Sequence, residues 1–324
     1  MTIQKRNSNI ELLRIIIMFM ILLLHSNFLA FGTPEDYSFR SFSRCFAEAF
    51  TLTPVNIFVL ITGFFGTRLS IRKVSNLIFQ VFFCVVPISL FLASFGIIEF
   101  DFRSIIRSFI FNKYWFINAY IGLLFLTPIL NVAVDHLSHK VYISSLLFFY
   151  VLAFLDAFWG VSGIRIAGGY SLIWFIFLYL LGRYVKCYQP SLSKKQLITL
   201  IAISCLCNSF LIFTLHSCDY VNPFIVIQSV STLLLFTKFE IKSDVINLVA
   251  ASTTMVYLVN LHPVLWGAME NKLWSFYLNN STFIFLLYTL LLCVSVFVFA
   301  IFYDIIRLFI WKKIELAFPK KQTQ

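Results

Sequence analysis

Polar residues are sparse and clustered along this chain, and apolar stretches of membrane length run between them. The pattern predicts ten helical spans, at about 10–31, 45–66, 77–98, 115–134, 141–159, 170–187, 196–215, 222–238, 245–266 and 282–308. Nothing shows the period-two alternation of a transmembrane β-barrel. No stretch between spans is long enough for a second soluble domain, and no internal repeat stands out. The expected architecture is an all-α polytopic bundle of about ten transmembrane helices, with residues 1–324 as a single domain. The first apolar run is too long for a cleavable signal peptide and has no small-residue cleavage site, so it reads as a retained span.

Composition agrees with this pattern. The chain is 60% hydrophobic and only 12% charged, which excludes an ordinary soluble domain of 324 residues. Its net charge of +11 would suit nucleic acid in a soluble protein, but here it is expected to sit in cytoplasmic loops. Most Lys and Arg fall on one side of the predicted spans: Lys5, Arg6, Arg68, Arg72, Lys73, Lys140, Arg183, Lys186, Lys194, Lys195, Lys238, Lys242, Arg307, Lys312, Lys313, Lys320 and Lys321. The opposite side holds fewer: Arg40, Arg44, Arg103, Arg107, Lys113, Arg165 and Lys272. The positive-inside rule then places both termini in the cytoplasm, which agrees with an even number of spans. The seven Cys are scattered, mostly within apolar runs, and read as small buried residues rather than a disulfide framework or a metal site.

The first span carries the main chemical signal. Its segment NSNIELLRIIIMFMILLLHSN (7–27) contains Glu11, Arg14 and His25 in otherwise apolar surroundings. Ionisable groups at membrane depth are costly and usually functional. The 11-residue step from Arg14 to His25 leaves the two about 20° apart around the helix and about 16 Å apart along it. Glu11 precedes Arg14 by one turn, close enough for a local ion pair. The stripe runs from Arg14 near the cytoplasm toward His25 near the exterior. A neutral imidazole in a dry cavity can act as a general base, and an Arg held by Glu can meet an anionic cytosolic ligand such as phosphate.

Other clusters are weaker. Arg68, Arg72 and Lys73 follow the second span and could grip phosphates or simply set topology. Trp115, Asn118 and Tyr120 open the fourth span, as an interfacial aromatic belt or a platform for sugar faces and hydroxyls. Arg165, Gly168, Gly169 and Tyr170 form an outer loop, with Arg165 a candidate for an anionic ligand. Asn260, His262 and Pro263 end the ninth span. Pro263 is expected to kink or end it, and His262 lies at a depth similar to that of His25.

Several of these stretches resemble one family, the acyltransferase family 3 membrane O-acyltransferases, which acetylate bacterial surface polysaccharides. RNSNIELLRIIIMFMILLLH is similar to the family's opening motif, a basic residue, ten residues, then a His. Arg14 and His25 occupy those positions. PVNIFVLITGFF (54–65), YWFINAYIGLLFLTPILN (114–131), IWFIFLYLLGRYVK (173–186) and VYLVNLHP (256–263) resemble later motifs in order. The resemblance implies a multi-pass enzyme of the bacterial cytoplasmic membrane. It would use acetyl-CoA as co-substrate, with no bound cofactor, metal or nucleic acid. The acceptor would be a polysaccharide or its lipid-linked precursor.

The resemblance implies His25 as the catalytic residue and Arg14, Arg72 and Lys73 around the acyl donor; Glu11 and Arg68 join the donor candidates by their spacing from Arg14 and Arg72. Trp115, Asn118, Tyr120, Arg165 and His262 are the expected acceptor contacts. Two stretches depart from the family pattern. Arg68 and Arg72 are separated by three residues rather than two, and Tyr257-Leu258-Val259-Asn260 has Asn where the family has His. The alternative function is a transporter or flippase of a lipid-linked glycan, using the same polar stripe as its pathway.

Overall fold

The computed structural model describes residues 7–26, 37–99, 101–103, 114–160, 165–216 and 219–317. Lys5, Arg6, Arg107, Lys113, Lys320, Lys321 and the end of the first predicted span, 27–31, lie outside the described residues. All regular elements among the described residues are helical. They are α1 (Ser8–Ser26), α2 (Phe39–Thr51), α3 (Pro54–Phe64), α4 (Ile71–Ser94), α5 (Trp115–His136), α6 (His139–Trp159), α7 (Leu172–Tyr188), α8 (Lys194–Leu215), α9 (Pro223–Thr237), α10 (Asp244–Ala251), α11 (Thr253–Asn260), α12 (Pro263–Asn279) and α13 (Thr282–Ala317).

Seven helical stretches are long and apolar enough to cross a membrane, and eight if one bent pair counts as a single span. That pair is Asp244–Asn260 and Pro263–Asn279, bent by 61°. The bend falls where Pro263 was expected to interrupt the ninth span: Pro263 opens α12 and cannot extend the preceding helix. The second span is likewise two helices in succession, with Pro54 opening the second after the break at Leu52–Thr53. The helices α7 and α9, at 17 and 15 residues, match the sixth and eighth predicted spans but are shorter than those that meet the span length.

Local sequence sets many of these ends. Ser138, Ser171 and Ser193 each accept a hydrogen bond from a backbone N–H in the first turn of α6, α7 and α8. At α8 the Gln196 side chain returns a bond to the Ser193 N–H, completing a capping box.

The chain forms two compact units. The first comprises residues 1–69 and 115–247. Its tightest crossing is between α3 and α7. A Cβ on Gly63 would overlap the Tyr179 carbonyl, and one on Gly182 would overlap the Leu60 carbonyl. Two glycines thus bring the helix backbones into direct contact, a device suited to membranes, where close packing must replace the hydrophobic effect. Around this crossing a polar chain is fully buried. Trp174 Nε1 donates to Asn56 Oδ1 at 3.0 Å, and Asn56 Nδ2 donates to the Tyr220 carbonyl at 2.9 Å. Farther along, the Tyr179 hydroxyl donates to Asn131 Oδ1 at 2.7 Å. On another side of the unit α2 packs on α8, with Cys45 and Ala49 against Cys205 and Ile212.

The second unit comprises residues 70–114 and 248–324, and α10 spans the boundary between the two. Within it, α4 and α13 are joined by three polar contacts one helical turn apart on α4. Arg72 makes a bidentate ion pair with Glu315. Arg307 Nη1 donates to Asn76 Oδ1 at 2.7 Å, and Gln80 Nε2 donates to Asp304 Oδ1 at 3.1 Å. Arg307 also bonds Asp304 within α13, with Nη2 to Oδ2 at 3.1 Å. Asp304 and Arg307 are 0% and 1% exposed. Arg307, grouped with the loop cations by sequence position, is therefore a buried partner inside a 36-residue helix.

Two substitutions test these contacts. Gly182→Ala forces a methyl group into the α3 backbone and should cost about 1–3 kcal/mol. Gly267→Ala, whose Cβ meets nothing within 4 Å, should be neutral or stabilising. Thermal unfolding in detergent would contradict the crossing if both variants melted alike. Asp304→Asn leaves Arg307 buried without its counter-charge and should cost about 3–5 kcal/mol. An unchanged melting point there would mean that the pair is not needed.

Candidate active site

The site begins with the anchoring of α1. Ser8 Oγ accepts from the Ser243 N–H at 3.2 Å, and Asn9 Oδ1 accepts from the Ile241 N–H at 2.6 Å. Asn9 Nδ2 also donates to the Phe239 carbonyl. These bonds fix the start of α1 beside the end of α9, and the two helices pack against each other. One turn on, Glu11 is buried and accepts from Arg14 Nη1 at 3.1 Å. The expected local pair is present, and it keeps Arg14 half-buried at this level. The helix continues unbroken to Ser26, so His25 sits in its last turn, half-buried and in line with Arg14.

Counting along the helices places the other candidates. Asn9 to His25 along α1 is 25 − 9 = 16 residues, and Thr237 back to Pro223 along α9 is 237 − 223 = 14. These steps rise about 24 Å and about 21 Å. Asn9 bonds Phe239, two residues past the end of α9, and the Trp115 ring packs against Tyr220, three residues before Pro223. His25, Pro223 and Trp115 therefore lie at one level of this unit, and Glu11 and Arg14 lie toward the other.

The Arg14 end collects cations. Arg68 is exposed after α3. Arg183 pairs with Asp135 at 3.6 Å, Lys186 lies over the Phe64 ring at 4.9 Å, and Lys194 lies over the Phe239 ring at 4.8 Å. Arg183 was read only as a loop cation. What distinguishes it is its packing against the Gly66 turn at the end of α3, a contact between segments far apart in sequence.

The His25 level is aromatic. Trp115 packs against Tyr170 at 4.7 Å and Tyr220 at 6.3 Å between ring centroids, and Tyr170 meets Tyr220 at 4.9 Å. Phe116 and Phe175 extend the cluster. Tyr220 has no local signal in the sequence; it reaches the cluster because Asn56 holds its carbonyl and the Gly168 carbonyl accepts from its N–H at 3.0 Å. Asn118 is half-buried one turn into α5. Tyr120 points toward α3, where its hydroxyl meets Thr62 Oγ1 at 3.2 Å. Arg165 is exposed on the loop that carries Tyr170.

The remaining candidates belong to the second unit. Lys73 is exposed and Arg72 is held by Glu315. His262 is 0% exposed and sits at the break before α12. Its Nδ1 accepts from the Val264 N–H at 3.3 Å, which leaves Nε2 facing the Val85 carbonyl at 3.4 Å and Ser89 Oγ at 3.5 Å. That is the geometry of a helix cap. Among the described residues, no group of three or more His, Cys, Asp or Glu could hold a metal ion. Replacing His262 with Ala should cost about 0.5–2 kcal/mol of stability, while His262→Asn, a good cap, should recover most of it. Equal melting of the two variants would contradict the capping role.

No curated protein and no solved structure matches the chain. A family model described as an acyltransferase domain matches residues 7–304, from the anchor of α1 to the buried Asp304 of α13. The match starts at the segment that carries Glu11, Arg14 and His25 and takes in both units, and the chain belongs to acyltransferase family 3.

Proposed function

We propose that this acyltransferase moves an acetyl group from cytosolic acetyl-CoA to a hydroxyl of a surface polysaccharide or its lipid-linked precursor. The observation that carries this reading is the arrangement along α1. One continuous helix holds the Glu11–Arg14 pair at the cation-rich level and His25 at the aromatic level, about 16 Å apart.

In this reading the chain spans the bacterial cytoplasmic membrane about ten times as a single domain, with both termini in the cytoplasm. The donor's phosphates meet Arg14 and Arg68 in the first unit. Glu11 orients Arg14 for this contact. The thioester reaches the level of His25, where the acceptor hydroxyl arrives beside Trp115, Asn118, Tyr120 and Arg165.

The chemistry then has two balanced routes. His25 takes the hydroxyl proton while the alkoxide attacks the thioester carbonyl and CoA thiolate leaves. Alternatively, the neutral His25 ring attacks the thioester carbonyl, CoA leaves as the thiol with the ring N–H proton, and the acyl-imidazole passes its acetyl group to the hydroxyl, whose proton returns to the ring. In both, one C–S bond is exchanged for one ester C–O bond.

The test is His25→Ala at matched membrane abundance. Glycan O-acetylation should fall by about 10²–10⁴-fold, the usual contribution of a positioned proton-transfer group. Unchanged acetylation would remove His25 from the reaction.

A further inference from the structure

The stretch from Arg165 to Gly169 that leads into α7 is held in costly backbone geometry. Arg165 and Ala167 have φ of 49° and 53°, and Gly168 and Gly169 have φ of 62° and 97°. A left-handed conformation costs a residue with a side chain about 1–2 kcal/mol, and such strain persists only where the surroundings over-determine it. Here they do. Asp156 Oδ2 accepts from the Ile166 N–H at 2.7 Å, and the Gly168 carbonyl accepts from the Tyr220 N–H. A Cβ on Gly169 would lie 2.6 Å from the Tyr220 Cβ. Beneath this contact, Asn56 ties the Tyr220 carbonyl to the buried Trp174.

This scaffold presents one ring outward. Tyr170 is 50% exposed, while Trp115 is half-buried behind it and Tyr220 is 4% exposed below. A flat aromatic face, fixed by a strained turn and backed by two further rings, lies at the level of His25. Burial does not explain it, since half of the ring is uncovered.

We propose that Tyr170, backed by Trp115 and Tyr220, is the stacking face for a pyranose ring of the acceptor glycan and sets acceptor specificity. This rests on the reading of the protein as a glycan acyltransferase. The C–H face of a sugar ring carries partial positive charge and suits the negative face of an aromatic ring. The strained turn keeps Tyr170 in place before the sugar arrives, so binding does not have to order it. Tyr170 acts by holding the sugar, not by proton transfer.

The experiment uses the full chain in lipid nanodiscs, acetyl-CoA, and the unacetylated polysaccharide of a strain lacking this chain. Acceptor KM, glycan Kd and acceptor-free release of CoA are measured for the wild type, Tyr170→Phe and Tyr170→Leu. Leu keeps apolar bulk for a membrane interface but has no flat face. Tyr170→Leu should raise acceptor KM and Kd by about tenfold, a change of about 1.4 kcal/mol, with CoA release and folded yield unchanged. Tyr170→Phe should stay near the wild type.

If the wild type acetylates the glycan and Tyr170→Leu leaves KM and Kd unchanged, this inference fails alone. Parallel loss of CoA release or folded yield would also overturn it, since the ring would then be structural. If the wild type neither binds nor acetylates the glycan, both this inference and the proposed function fail.

Discussion

Backbone contact between α3 and α7 is the constraint on which the rest of the first unit depends. Lipid offers helices no gain in burying Leu against Leu, so packing must be close to be worth anything. Gly63 and Gly182 make it close. That approach lets Trp174 of α7 reach Asn56 of α3, and Asn56 in turn holds Tyr220. Tyr220 then supports the aromatic cluster at the level of His25. A pair of hydrogen atoms in place of side chains is thus linked, contact by contact, to the surface proposed to meet the acceptor.

The second unit solves the same problem with charge. Its polar groups meet across α4 and α13 in register, as Arg72 with Glu315, Asn76 with Arg307 and Gln80 with Asp304. Asp304 and Arg307 are costly to bury, and the cost is offset only because Gln80 and Asn76 add hydrogen bonds to the pair. This bears on the donor. A phosphate that recruits Arg72 has to displace Glu315, whereas Arg68 and Lys73 stand exposed. Arg14 is in an intermediate state, since Glu11 fills only part of its donor fork.

Much of this was legible in the sequence because it depends on local periodicity. The helices, the Glu11–Arg14 pair and the common stripe of Arg14 and His25 follow from 3.6 residues per turn. The break at Pro263 follows from a missing N–H. The family was legible in the opening motif. What escaped depends on tertiary contacts. Tyr220 has its place because Asn56, 164 residues away, donates to its carbonyl. Arg307 reads as an end-of-span cation until Asn76 and Asp304 enclose it. His262 shares only depth with His25 in the sequence. Its capping role appears once the chain is seen to bend beside it. The split of the second span was signalled by Pro54 but masked by a continuous apolar run.

The central claim is that acyl donor and acceptor meet at His25 from opposite ends of α1. Sealed inside-out vesicles test it most directly, with the cytoplasmic face outward, the unacetylated glycan enclosed, and acetyl-labelled CoA added only outside. The account predicts ester-linked label on the enclosed glycan, dependent on the added acetyl-CoA. Glycan that crosses the membrane without acquiring label, at a rate indifferent to acetyl-CoA, would contradict it and identify a transporter instead.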